Sequence, residues 1–305
     1  MEQLCEKYSE VFTDGLGHVK GIQATVHVAD NAVPKFCKAR PVPYALREAV
    51  DKHLVELEEQ GVITPIEYSD WASPIVCLPK KSGNVRICGD YKVGLNEWVQ
   101  VDQYPLPKTQ DLFATLAGGR RYTKLDLTQA YAQIEIEPES RKYLTINTQK
   151  GLYQMNRLPY GVSSAPAIFQ RIMDQVLQGL PGTVCFLDDI LISGRDTEEH
   201  MQNVEAVLQR LQERGFKVNR EKCAFLQSSV TYLGHRIDEQ GLHPVQEKTD
   251  AIANAPVPKN TTELRAYLAL LTYYGRESLH HYQAYDRAPT ERQKVGVVRT
   301  VPAGV

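Results

Sequence analysis

The 305-residue chain lacks most of the features that declare a location or a cofactor at sight. No apolar run approaches the roughly 18 residues of a bilayer span, so no membrane partner is expected. The opening MEQLCEKYSEVF has no secretory-leader pattern. The six cysteines (Cys5, Cys37, Cys77, Cys88, Cys185, Cys223) form neither a CxxC nor a Cys/His zinc spacing, and read as buried free thiols of a reducing compartment. There is no internal repeat, no low-complexity tract, and no Ser/His or Cys/His arrangement to supply a nucleophile. The net charge of −2 gives no sign of a polyanion partner, although a local basic groove can coexist with an acidic surface. What remains is ordinary for a globular protein: 42% apolar and 24% charged residues, enough for a large core in about two domains or one composite domain.

What is present centres on Val184-Cys185-Phe186-Leu187-Asp188-Asp189-Ile190-Leu191-Ile192. β-Branched and large apolar residues flank two adjacent carboxylates, which reads as strand, turn, strand. A buried carboxylate is costly unless paired or bound to metal, and two side by side repel each other. A divalent cation is the simplest compensation. The alternative is an acidic turn in water, because Asp is a common turn residue. A third acid, Asp126, lies in the apolar part of a predicted strand over 122–127. The alternation from Gln133 to Ile136 predicts a second strand after a tight connection, with Tyr131 between the two.

Around these acids the periodicity changes along the chain. Residues 1–43 carry scattered Gly and Pro, end in KARPVPY, and predict an extended lead-in. Leu46, Val50, Leu54 and Leu57 predict an amphipathic helix over 44–60, with Glu48 and Lys52 as an i,i+4 pair and Gly61 as its stop. PIVCLP and VRIC predict two strands joined by KKSGN. That hairpin carries Lys80, Lys81 and Arg86, a cationic tip that is either suited to phosphate or simply solvated. YPLP reads as extended, DLFATLAGG as a short helix, and 143–158 as a hairpin turning at Lys150-Gly151. Ser163 or Ser164 is a candidate cap for a helix with Pro166 in its first turn and Ile168, Phe169, Ile172, Met173, Val176 and Leu177 on a broad apolar face. A further helix begins at Asp196 or Thr197 and runs to Arg214. FKVNREKCAFL and SVTYLGHRID read as strands, and 262–274 as a last amphipathic helix. Beyond Gly275 the composition turns polar, basic and aperiodic.

Two strand-borne acids on one antiparallel sheet, with helices on its back, make an α+β layer that can present both carboxylates on an open face. Mg²⁺ prefers a few carboxylates plus substrate phosphate oxygens and water. Two such ions about 4 Å apart support in-line displacement at phosphorus. The motifs SDWASPIVCLPKK, VRICGDYK, DQYPLP, DLFATLAGG, KLDLTQAY, LPYGVSSAPAIFQ, FLDDILI, and YLGH followed by GLHP stand in order between about residues 5 and 275. In these the chain strongly resembles the reverse transcriptase segment of a gypsy-type long-terminal-repeat retrotransposon polyprotein.

The resemblance implies a right-hand polymerase fold of the α+β class, with an antiparallel palm sheet covered by helices. Fingers and palm would fill 44–240, the start of a short thumb 241–275, and a divergent, disordered tail 276–305. It implies an RNA-directed DNA polymerase, a nucleotidyltransferase that adds deoxynucleoside triphosphates to a primer 3′-hydroxyl on an RNA or DNA template, with two Mg²⁺ ions or Mn²⁺ in their place. Asp126, Asp188 and Asp189 match the catalytic, metal-holding acids. Lys80, Lys81 and Arg86 match residues near the triphosphate, and Tyr131 the residue under the deoxyribose. Leu158 to Gly161, Tyr160 included, match the floor beneath the nascent pair. Tyr232, Leu233, Gly234 and His235 match the primer grip. Tyr160 stands where the family more often has Phe, and Ala269 where it usually has Gly. A second polymerase chain, and cytoplasmic retrotransposon particles with a nuclear phase, complete the expectation. Because the likeness stops at Gly275, the alternative is an inactive retroelement remnant that binds nucleic acid or another protein. A nucleotide cyclase on the same palm is opposed by the fingers and primer-grip motifs.

Overall fold

The computed structural model describes residues 1–79, 85–245, 250, 254–269 and 272. Lys80 and Lys81, the end of the predicted last helix and the tail from 276 lie outside the described residues. The helices are α1 (Glu2–Lys7), α2 (Tyr44–Glu59), α3 (Thr109–Leu116), α4 (Pro138–Arg141), α5 (Ala165–Leu177) and α6 (Thr197–Arg214). The strands of the first half are β1 (Gln23–Ala24), β2 (Ile63–Ile66), β3 (Ser73–Pro79), β4 (Val85–Gly89), β5 (Arg121–Asp126), β6 (Glu135–Ile136), β7 (Thr145–Thr148) and β8 (Gly151–Met155). Those of the second are β9 (Thr183–Phe186), β10 (Asp189–Gly194), β11 (Ala224–Gln227), β12 (Val230–Tyr232), β13 (His235–Asp238) and β14 (Gly241–Pro244). Among the described residues no helix is long and apolar enough to cross a membrane.

The chain divides into two compact units between Val230 and Thr231. In the first unit, a four-stranded antiparallel sheet has the order β11-β5-β10-β9. Side chains alternate across it. Thr123, Leu125, Ile190 and Ile192 lie on one face, where α5 and α6 pack with Phe169, Ile172, Met173, Val204, Val207 and Leu208 in the core. α6 forms where predicted, because Asp196 accepts a hydrogen bond from Glu199 N at 2.9 Å and its apolar stripe turns inward. On the other face, α3 packs against β9 and β10, leaving the end that carries Asp126 and Asp189 uncovered by that helix. A five-stranded mixed sheet, order β2-β8-β7-β3-β4, receives α2 through Val50 and Leu54. The second unit holds the sheet β12-β13-β14, whose first strand begins at the boundary, and residues 261–269 are helical.

Four local expectations are corrected. Residues 1–43 are not simply an extended lead-in: they open with α1, and Cys5, Tyr8, Val11, Val19, Ala24 and Val26 are buried, so this segment belongs to the core. The alternation at 133–136 yields only β6, which pairs in parallel with β1. Gln133 ends a 3₁₀ turn, fully buried, with its amide bonded to the Thr128 and Lys217 carbonyls. Ser164 stands at the start of α5, but its hydroxyl makes no capping bond. Lys52 lies 3.9 Å from Glu56, on the C-terminal side, in place of the expected Glu48 pair.

Candidate active site

β5 ends in Asp126, β10 begins with Asp189, and the two are direct cross-strand partners. Like charges so placed repel, and each has an ammonium beside it. Lys222 Nζ lies 3.3 Å from Asp126 Oδ1, and Lys124 Nζ 2.9 Å from Asp189 Oδ2. The acids are not buried as an isolated reading of the apolar run suggests: Asp188 is exposed and the other two are half-buried.

Asp188 owes its place to a turn. β9 and β10 are joined by Leu187-Asp188, with Phe186 facing Asp189 across the ladder. Leu187 takes φ +55°, a left-handed conformation that costs an L-residue about 1–2 kcal/mol. The fully buried Gln170 on α5 holds it. Leu187 N donates to Gln170 Oε1 at 2.8 Å, and Gln170 Nε2 donates to Cys185 O at 2.9 Å. The Asp188 carbonyl accepts from Leu127 N at 3.2 Å, which ties the turn to the strand end carrying Asp126.

Asp126 and Asp188 line one cleft of about 350 Å³, together with Arg86, Gln129, Tyr160 and Lys222. The described residues lining it do not include Asp189 or Tyr131. From the cleft inward runs a ladder of stacked groups. The Arg86 guanidinium lies 4.2 Å from the Tyr160 ring centre, Tyr160 stacks on Tyr131 at 4.6 Å, and Tyr131 meets Phe169 at 4.9 Å. Burial pushes the Tyr131 phenol up to about 12, and raises that of Tyr160 against the opposing pull of Arg86. Tyr131 is only 7% exposed, so it is the buried rung of the ladder.

Gly161 has φ +98°, and a Cβ there would stand 2.9 Å from the Gly89 carbonyl, so only glycine lets β4 approach this loop. Asn96 straps the same loop: its Nδ2 donates to Gly161 O at 2.8 Å, and its Oδ1 accepts from Ser163 N at 3.0 Å. Arg86 on β4 and Tyr160 before Gly161 are thereby held together. Tyr232, Leu233, Gly234 and His235 belong to the second unit, where Leu233 and Gly234 (φ +48° and +80°) form the turn between β12 and β13. Sequence reasoning assigned no role to Lys222, Lys124, Gln170 or Asn96. Lys124 and Gln170 stand at the ends of KLDLTQAY and LPYGVSSAPAIFQ, but each of the four acts by what folding places beside it.

Among the described residues no group of three or more His, Cys, Asp and Glu side chains converges to hold a metal ion. Two carboxylates opening on one cleft nevertheless fit Mg²⁺, a hard ion that takes most of its ligands from phosphate and water. The ammonium beside Asp126 shows that positive charge is favoured at that spot.

The same fold occurs in solved polymerases. A foamy viral protease–reverse transcriptase in complex with double-stranded DNA superimposes with a TM-score of 0.78 at 23% identity, over 94% of this chain and 52% of that one. A foamy viral protease–reverse transcriptase with an RNA/DNA hybrid gives 0.75 at 24% identity, over 89% and 37%. The architecture is a right-hand polymerase fold of mixed α+β content. The profile of the reverse transcriptase (RNA-dependent DNA polymerase) family matches residues 78–237, just over half of the chain. The uncharacterized protein K02A2.6 of Caenorhabditis elegans is 42% identical over 92% of this chain, and the transposon Tf2-3 polyprotein of Schizosaccharomyces pombe 33% identical over 84%. This chain belongs to the reverse transcriptase family, as a polymerase domain of the kind found in retrotransposon polyproteins. It spans only about a fifth of those two relatives, 22% and 19% of their lengths.

Proposed function

We propose that this chain is the polymerase portion of a gypsy-type retrotransposon polyprotein and extends a primer 3′-hydroxyl with deoxynucleotides on an RNA or DNA template. One observation carries the reading: Asp126 at the end of β5, and Asp188 in the turn that leads into the adjacent strand β10, open on the same cleft as Arg86 and Tyr160. The transposon polyprotein among the relatives and the nucleic-acid complexes of the structural neighbours support it.

In this reading Asp126 and Asp188 hold two Mg²⁺ ions, and Asp189, paired with Lys124, tunes the charge beside them. When bound, the ions lower the pKa of the primer hydroxyl and neutralise the pyrophosphate. The rest is positioning, the larger part of phosphoryl-transfer catalysis. Arg86, flattened on Tyr160, offers its fork of N–H donors to the triphosphate, with Lys80 and Lys81 from the same hairpin. Tyr160 floors the nascent pair, with Tyr131 under the sugar. Tyr232 to His235 hold the primer. A second polymerase chain completes the grip, and the polyprotein works in cytoplasmic particles with a nuclear phase.

The test is purified protein with a primed RNA template, Mg²⁺ and deoxynucleotides. Templated extension is expected. Binding of the primed template without extension, in Mg²⁺ and in Mn²⁺, sinks the proposal in favour of a nucleic-acid-binding remnant.

A further inference from the structure

Gln170 is a polar side chain with no exposed surface, and two of its three hydrogen bonds go to the acid-bearing hairpin. Its Oε1 accepts from Leu187 N at 2.8 Å, and its Nε2 donates to Cys185 O at 2.9 Å and to Asp174 Oδ1 at 2.8 Å. The amide orientation is unambiguous, because a backbone N–H can only donate and a carbonyl can only accept. Gln170 thus bridges the last part of β9 to the turn residue that precedes Asp188. Asp174, one helical turn further along α5, accepts from Gln170 on one oxygen and from Tyr104 Oη at 2.6 Å on the other. A chain of side chains runs from the YPLP segment through Asp174 and Gln170 to the acid-bearing turn. The Cys185 thiol adds a contact to Leu187 O at 3.1 Å.

Leucine at φ +55° persists only where its surroundings over-determine it. The hydrogen bonds from α5 provide that constraint. We infer that Gln170 is a positioning residue: its carboxamide holds Leu187 in the left-handed conformation and so sets where the Asp188 carboxylate stands. Asp174 orients the carboxamide, and Tyr104 orients Asp174. Gln170 touches neither substrate nor ion. The inference rests on the polymerase reading above for its kinetic consequence, but not for its structural one.

The test pairs amide exchange with kinetics. In protein free of nucleic acid and metal, Gln170→Ala should speed exchange of the Leu187 amide about tenfold or more, as expected for loss of a local clamp, while Leu125, Ile190 and Ile192 keep their protection. In primer extension the same variant should lose about a hundredfold in kcat, the scale of a small misplacement of a catalytic group, with deoxynucleotide KM nearly unchanged. Adding Leu187→Gly to Gln170→Ala should restore about tenfold, because glycine enters the left-handed region freely. A merely structural glutamine would show no such rescue. If Gln170→Ala fails to fold, Asp174→Asn decides: it sets an amide donor against Gln170 Nε2 or gives up Tyr104, and should show the same pattern in weaker form. Unchanged Leu187 exchange overturns the clamp, as does unchanged kcat in a wild type that extends primers, or absence of rescue by Leu187→Gly. A wild type that extends no primer overturns the polymerase reading instead, and the exchange experiment still decides the clamp.

Discussion

Two hairpins of this chain turn through a leucine at positive φ, and they hold it by different means. Between β12 and β13, Leu233 (φ +48°) is followed by Gly234 (φ +80°), a type I′ pattern whose twist matches the flanking strands. Nothing lies within 4 Å of where a Gly234 Cβ would be, so its backbone alone requires glycine. Between β9 and β10, Leu187 (φ +55°) is followed by Asp188. Under the proposed function the chemistry claims that second position, so glycine is unavailable there. The missing local preference is supplied by Gln170, 17 residues away on another element. A turn whose tip is free to be structural can be written locally. A turn whose tip must carry a charge is written in the packing around it.

The largest expected effect breaks the comparison at its chemical end. Under the proposed function, Asp126→Asn or Asp188→Asn should lower primer extension about a thousandfold or more with unchanged folding, since each would remove charge from the cleft that positions the phosphates. Asp189→Asn should cost less, because Lys124 already occupies it. Single-turnover rates decide, and wild-type rates in both larger variants remove the assignment. The acid-bearing side is sharpened next by Tyr131→Val. If the ring limits space at the sugar, discrimination against ribonucleotides should fall by roughly tenfold to two-hundredfold, the worth of about 1–3 kcal/mol of overpacking. Because Tyr131 is a buried rung between Tyr160 and Phe169, an unchanged ribo/deoxy ratio with both kcat/KM values reduced would mark it as packing alone.

On the glycine-bearing side, Gly234→Ala should destabilise the β12–β13 hairpin by about 1 kcal/mol, the strain of a Cβ at positive φ. Faster amide exchange over 230–238 is the expected result, accompanied under the proposed function by a weaker hold on the primer, and unchanged exchange would show that the turn tolerates a side chain. The smallest effect lies behind the acid-bearing hairpin. His200 on α6 is fully buried, with Nε2 2.8 Å from Thr123 Oγ1 on β5, and burial lowers its pKa. The unfolded chain therefore takes up this proton first. Stability should be complete above about pH 6.5 and decline as pH falls from there toward the lowered folded value. A thermal-melt series from pH 7 to 5 should flatten in His200→Gln, and an identical slope would assign the loss to carboxylates.

The elements with strong periodicity are legible in the sequence itself. α2, α5, α6, the β3–β4 and β7–β8 hairpins and the strands that carry or flank the three acids all stand where apolar spacing, a cap or a turn dipeptide puts them. The failures share a cause. Residues 133–136 alternate like a strand, yet Gln133 is buried because the nearby Thr128 carbonyl and the distant Lys217 carbonyl need its amide. The first 43 residues lack a period, so nothing local reveals that Val11 and Val19 sit in the core. At the site, the acids announce their chemistry in the sequence, whereas Gln170, though it closes the motif LPYGVSSAPAIFQ, and Asn96 show no role until the backbones they strap are in view.

The lysines beside the acids have a consequence for handling the protein. Lys222 and Lys124 act as resident counter-cations, covalently attached beside the carboxylates. The fold thus carries its own neutralisation of Asp126 and Asp189, unlike small domains that unfold when their metal is removed. Under the proposed function, a chelator should stop turnover while the protein stays folded. Under that same function, a divalent ion entering beside Asp126 would compete with a tethered ammonium. Its apparent affinity would then be set as much by how readily the Lys222 side chain swings into solvent as by the carboxylates themselves.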